Sequence, residues 1–123
     1  MICLAAGAAS AVLAANAFTL TWTHSIEKTR WEEDWRVEGR LLVLDAARIR
    51  TSCAGMEPPT GAVLKDGIWH YHPALPPQQT LRLTYSLHAA DYLLCANGHC
   101  APLAERLPGL DNGAVVEVKA CPP

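Results

Sequence analysis

The stretch FTLTWTHSIEKTRWEEDWRVEG, residues 18–39, reads as two strands folded back on one another, with an acid on the oily side. Side chains alternate across a strand, so Phe18, Leu20, Trp22 and His24 share one face. On the return, Trp31, Glu33, Trp35 and Val37 share a face, while Glu32, Asp34, Arg36 and Glu38 take the wet one. Glu33 therefore sits among tryptophans. A carboxylate taken out of water needs a partner or a raised pKa. The short connection predicts that His24 opposes Trp31 and that Trp22 opposes Glu33. His24 and Glu33 are then diagonal neighbours, about 7–8 Å apart at Cα.

Working outward, the remaining chain is a run of short strands. Residues 2–6 read either as a first strand, with Ile2 and Leu4 facing away from Cys3, or as part of a clipped export signal covering residues 1–17. The second reading rests on the apolar, alanine-rich composition and the small-x-small ending Ala15-Asn16-Ala17, although no Lys or Arg precedes Lys28. In residues 41–49, Leu42, Leu44 and Ala46 alternate with Leu41, Val43 and Asp45. Residues 51–61 form a loop, since the paired Pro58 and Pro59 supply no ladder donors. Lys65-Asp66-Gly67 is a hairpin signal between residues 62–64 and 68–72. Leu81, Leu83 and Tyr85 share a face; residues 103–107 read as a single helical turn, and residues 115–121 close the domain. The expectation is one all-β domain over residues 1–123: an antiparallel β-sandwich or small barrel of about eight short strands with at most one short helical turn.

Composition narrows the function classes. The chain has 123 residues and a formal net charge of −2, with basic residues scattered, so nucleic acid is not an expected partner. Five cysteines in so short a chain fit an oxidising compartment. In DYLLCANGHC, Asn97-Gly98 is the preferred centre of a type I′ turn, which sets Ala96 opposite His99 and Cys95 opposite Cys100. Non-hydrogen-bonded pairs of this kind lie roughly 4.5 Å apart at Cα, so a Cys95–Cys100 disulfide is the first reading. Two reduced thiols or a metal clamp including His99 are its alternatives. Pairing Cys3 with Cys121 would staple the chain ends and leave Cys53 over.

Three groups of residues are candidates for a site. The first is His24, Ser25 and Glu33 with Trp22 and Trp31, either a satisfied structural cluster or a polar pocket rimmed by aromatics. Ser25 adjoins His24 in sequence and no G-x-S-x-G elbow exists, so a hydrolase triad is not read here. An enzyme using Glu33 as general acid would also lack a nucleophile or cofactor motif. The second is the stiff loop carrying Met56 and Glu57, either a binding loop or a plain connector. The third is His70 with His72, half of a copper or zinc site that His88 or His99 would have to complete. No resident cofactor is expected.

Taken together, His24-Ser25-Ile26-Glu27-Lys28, Trp31 with Glu32-Glu33-Asp34-Trp35, Gly55-Met56-Glu57-Pro58-Pro59, Trp69-His70-Tyr71, and Tyr92 with Cys95 and Cys100 resemble the bacterial DUF1850 family, a domain of unknown function, over about residues 2–107. The resemblance implies a small exported or membrane-anchored protein, periplasmic or at the outer side of the inner membrane. Such proteins are often encoded beside TAXI-type TRAP transporters, so it implies a non-enzymatic accessory or binding module whose partners are transporter components or a small carboxylate solute. It carries over no catalytic residue. Cys53 departs from it, standing where glycine is more usual.

Overall fold

A computed structural model describes residues 1–24, 29–50 and 60–123, with residue 24 described by its backbone alone. Two antiparallel sheets face each other. The smaller has the order β2-β1-β11-β8, built from Ala9–Leu13 (β2), Ile2–Ala6 (β1), Val115–Ala120 (β11) and Leu81–Thr84 (β8). The larger runs β10-β9-β3-β4-β5-β7-β6. Its strands are His99–Pro102 (β10), Leu93–Ala96 (β9), Ala17–His24 (β3), Thr29–Glu38 (β4), Leu41–Arg50 (β5), Ile68–Tyr71 (β7) and Val63–Lys65 (β6). One helical turn, Leu103–Arg106 (α1), follows β10. The architecture is a sandwich and neither sheet closes into a barrel. Among the described residues no helix is long and apolar enough to cross a membrane.

Alternation builds the core. Ile2 and Leu4 of β1, Val116 and Val118 of β11 and Leu83 of β8 point inward from the small sheet. They meet Phe18, Leu20, Trp35, Leu42, Leu44 and Leu94 from the large one. Leu103 and Leu107 seal one end of this layer. Residues 1–6 thus include a strand held between β2 and β11, with Ile2 opposite Ala120.

Turn chemistry sets the hairpins. Asn97 and Gly98 both adopt positive φ, 53° and 75°, as a type I′ turn requires. The turn pairs Ala96 with His99 and Cys95 with Cys100, as expected from the sequence. Cys95 and Cys100 are disulfide-bonded with Cα atoms 3.9 Å apart, and Cys3 bonds Cys121 across 5.9 Å. Cys53 lies outside the described residues. The Asp66-Gly67 turn repeats the type I′ pattern between β6 and β7.

Three expectations need correction. The described residues contain eleven strands rather than about eight. The least legible of them, β2, is an alanine-rich tract with few of the β-branched or aromatic residues that mark a strand. Next, the alternation in β5 breaks. The β4–β5 register shifts between Asp34 and Trp35: Asp34 pairs with Ala46 and Trp35 with Leu44, leaving Asp45 as the bulged residue. A bulge inserts one residue and switches face parity, so Leu42 and Leu44 point inward before it and Ala47 and Ile49 after it, while Ala46 does not. Finally, the β3–β4 register differs by two residues from the expected one. Trp22 pairs with Trp31, Leu20 with Glu33 and His24 with Thr29.

The register shift has a physical reason. It stacks Trp22 on Trp31, with ring centroids 6.2 Å apart, and Phe18 on Trp35, 6.4 Å apart. Aromatic pairs of this kind contribute about 0.5–1.5 kcal/mol beyond burial. The expected register would have set an indole against a carboxylate.

Because the entropy that a cross-link removes from the unfolded chain grows with the length of the loop it closes, the two disulfides should differ in worth. Replacing Cys3 and Cys121 together by serine should lower the unfolding free energy by about 5 kcal/mol, and replacing Cys95 and Cys100 by about 2 kcal/mol. Urea titrations of both variants test this; equal losses, or a larger loss from the hairpin pair, would contradict it.

Candidate functional site

The two faces of β4 carry different chemistry. On the outer face, Arg48 clamps Asp34 through two hydrogen bonds, Nη1 to Oδ2 at 2.6 Å and Nη2 to Oδ1 at 2.8 Å, and the Thr19 hydroxyl donates to the same carboxylate at 2.8 Å. The Arg48 hydrogen bonds hold the Asp34 carboxyl below its ordinary range. Arg50 donates to Glu32 at 2.7 Å, and Arg36 donates to Asp45 at 2.8 Å and also to Glu38. This is a solvated ion-pair ladder across strands, as the wet-face pattern predicts. Its individual exposed pairs contribute little to stability.

The inner face of the same strand holds Glu33. Its cross-strand neighbours are Leu20 on β3 and Ala47 on β5, and Tyr71 of β7 lies beyond Ala47 in the same row. Trp31 and Trp35 flank it along the strand, and Trp22 stands opposite Trp31. The Trp35 indole Nε1–H donates to Glu33 Oε1 at 3.2 Å. Trp22 leans on Tyr92, with ring centroids 5.8 Å apart at 50°. Burial raises the Glu33 pKa above the ordinary glutamate value, and the single indole hydrogen bond opposes this only in part. Burial, and then the nearby Glu33 charge, push the Tyr71 and Tyr92 hydroxyls upward as well. The carboxylate is thus felt on both sides of the aromatic cluster. Ala47 contributes by being small, and it stands there only because the Asp45 bulge reset the strand's parity.

The structure brings together Glu33, Trp22 and Trp31 from the residues singled out by sequence. It does not bring His24 to Glu33 along the strands. His24 pairs with Thr29 while Glu33 pairs with Leu20, a separation of four positions, or roughly 13 Å at ~3.3 Å per residue. An acid–base pair of these two, the basis of an enzyme reading, is therefore not formed by strand neighbours. Ser25, Met56 and Glu57 lie outside the described residues. Sequence reasoning passed over Tyr71 and Tyr92 as partners of this cluster. Their signal was the alternation that sets Trp69 and Tyr71 on one face, together with the position of Tyr92 just before the cysteine hairpin.

Among the described residues the histidines do not converge. His70 lies opposite Arg48 on β5, and a ring nitrogen of His72, Nδ1, lies 2.9 Å from the Asp45 carbonyl oxygen. His99 stands on β10, at the far side of the large sheet from β7. At ~4.8 Å per strand, five strand spacings separate them by roughly 24 Å. Among the described residues no three His, Cys, Asp or Glu side chains are grouped to hold a metal ion.

A two-sheet β-sandwich with a half-buried acid on its inner face is the class that fold and site define. The chain belongs to the DUF1850 family, a domain of unknown function, whose profile matches residues 18–103. That span covers β3 to the start of α1, including the whole aromatic cluster around Glu33. No curated protein and no solved structure matches the chain significantly.

The Glu33 environment has a signed pH consequence. Its folded-state pKa is raised, so the folded protein keeps the proton to a higher pH than the unfolded chain does. Stability is full below the ordinary glutamate range and is lost as pH rises through the folded pKa. Glu33→Gln retains an oxygen for the Trp35 indole and removes this loss. Thermal melts from pH 4 to pH 8 should show the variant gaining on the wild type as pH rises, with a constant difference at the acid end. A difference that does not change with pH would contradict the assignment.

Proposed function

We propose that this protein is a non-enzymatic accessory or binding module of a TAXI-type TRAP uptake system, working in the periplasm or at the outer side of the inner membrane. The observation that carries the binding reading is the half-buried Glu33 carboxylate on a face shared with Trp22, Trp31 and Trp35, its charge felt by Tyr71 and Tyr92. A charge kept partly out of water lowers stability, and such a cost is typical of groups retained for recognition. Tryptophan and tyrosine are also the side chains that most often anchor interfaces. The two disulfides support an oxidising compartment, and the link to transport is what the family resemblance implies.

The sign of the site favours a protein partner or a positively charged ligand over a small carboxylate solute. A solute carboxylate would face Glu33 at close range, with no basic side chain on the inner face of β3, β4, β5 or β7 among the described residues.

Capture of the TAXI-type solute receptor or permease of the same organism on immobilised, oxidised protein tests this reading. Glu33→Gln or Trp31→Ala should weaken capture at least tenfold, about 1.4 kcal/mol, while circular dichroism and oxidised mass stay unchanged. Folded variants that capture these components as well as the wild type would overturn the reading, as would a wild type that captures neither.

A further inference from the structure

A cleft of about 150 Å³ opens between β3 of the large sheet, the end of β8 of the small one and the segment leading into β9. Trp22 and Tyr92 form two of its walls, meeting at 50° with ring centroids 5.8 Å apart. Thr84 and Ser86 add hydroxyls, Ala90 lines it without bulk, and Asp91 supplies a carboxylate. None of the lining residues among those described is basic.

Asp91 is held in a particular way. Its Oδ2 accepts the backbone N–H of Ala104 at 2.9 Å, in the first turn of α1, where Pro102 offers no side-chain cap. Its Oδ1 is buried and meets no hydrogen-bond donor among the described residues. The carboxylate is therefore fixed in place by the helix turn, and its charge acts on the cleft through space rather than through its buried Oδ1. Glu33, two residues along β4 from the Trp31 that stacks on Trp22, adds a second negative charge. Both carboxylates, after burial itself, push the Tyr92 hydroxyl upward, so both fields reach the cleft wall.

We propose that this cleft binds a small organic cation, an ammonium head carrying methyl or methylene groups. Aromatic faces attract such cations through the ring quadrupole, most strongly when water is displaced. Nearby carboxylates supply the countercharge, and the hydroxyls of Thr84 and Ser86 accept from an N–H where one is present. Size agrees: at ~30 Å³ per water-sized group, the cleft holds about five non-hydrogen atoms, the number in a tetramethylammonium ion. A bare metal cation would leave the aromatic walls unused, and an anion would meet two like charges. The assignment deepens the reading above and rests on it in one respect, since Trp22 belongs to both the cleft and the Glu33 cluster.

Titration of the oxidised full chain with tetramethylammonium chloride, followed by tryptophan fluorescence against sodium chloride at equal ionic strength, tests the proposal. Saturable binding absent with sodium is expected. It should weaken at least fivefold in Asp91→Asn, which keeps an oxygen for the Ala104 N–H, and at least tenfold in Trp22→Leu. Circular dichroism confirms that each variant is folded; should Trp22→Leu fail to fold, Asp91→Asn decides alone. A response equal to that of sodium, or one that Asp91→Asn leaves unchanged, overturns the proposal. The two readings fail separately: absent cation binding with transporter capture intact removes the ligand class alone, and cation binding without capture removes the transporter link alone.

Discussion

The structure depends on the register between β3 and β4, which is set by aromatic side chains meeting aromatic side chains. Trp22 lies on Trp31 and Phe18 on Trp35. These two contacts leave Leu20 opposite Glu33. A slip by two residues would keep every side chain on its face yet break both stacks. Once this pairing is in place, β9 can add to one side through Leu20 and Leu94, and β5 to the other. The central strands of the large sheet then present one oily surface to β1, β11 and β8.

That surface is uneven in its chemistry. Where the small sheet covers it, the lining is Ile, Leu, Val, Phe and Trp35, packed to near-complete exclusion of water. Toward the end bearing Trp22 and Tyr92, polar groups enter: Glu33, Tyr71, Asp91 and the hydroxyls of Thr84 and Ser86. A sandwich optimised for stability alone would place leucine or isoleucine at Glu33, whose neighbours Leu20 and Ala47 are apolar. The outer face shows the contrasting case. Its acids Glu32, Asp34, Glu38 and Asp45 are matched by the arginines Arg36, Arg48 and Arg50, a pattern that suits a sheet face turned to water. Placement inside, with one indole as hydrogen-bond partner, is what separates Glu33 from Glu32 and Asp34.

Much of this was legible in the chain. The alternation in residues 18–39 shows which side of β4 is wet and which carries the stray acid. Asn97-Gly98 specifies a two-residue turn, and with it the facing of Cys95 and Cys100. The site was only half readable. Glu33, Trp22 and Trp31 share a face by parity alone, but parity cannot say which residues stand opposite, because a shift of two residues preserves it. The same limit set Trp22 opposite Glu33 and His24 diagonal to it, where the strands instead place Leu20 opposite the acid. Ala46 and Ala47 illustrate a second limit. A bulge at Asp45 exchanges their faces, and nothing in LLVLDAARIR marks the extra residue.

Local order, then, came from the amino acids themselves: strand periodicity, turn residues and the sidedness of charge are properties of neighbours a few positions apart. Assembly decided the rest. Which aromatic ring meets which, where the bulge falls, that Tyr71 and Tyr92 close around Glu33 and that Asp91 caps α1 beside Trp22 all join residues from separate strands. Such contacts exist only after the sheets have paired and packed, when the burial of one side chain determines how much water its neighbours keep.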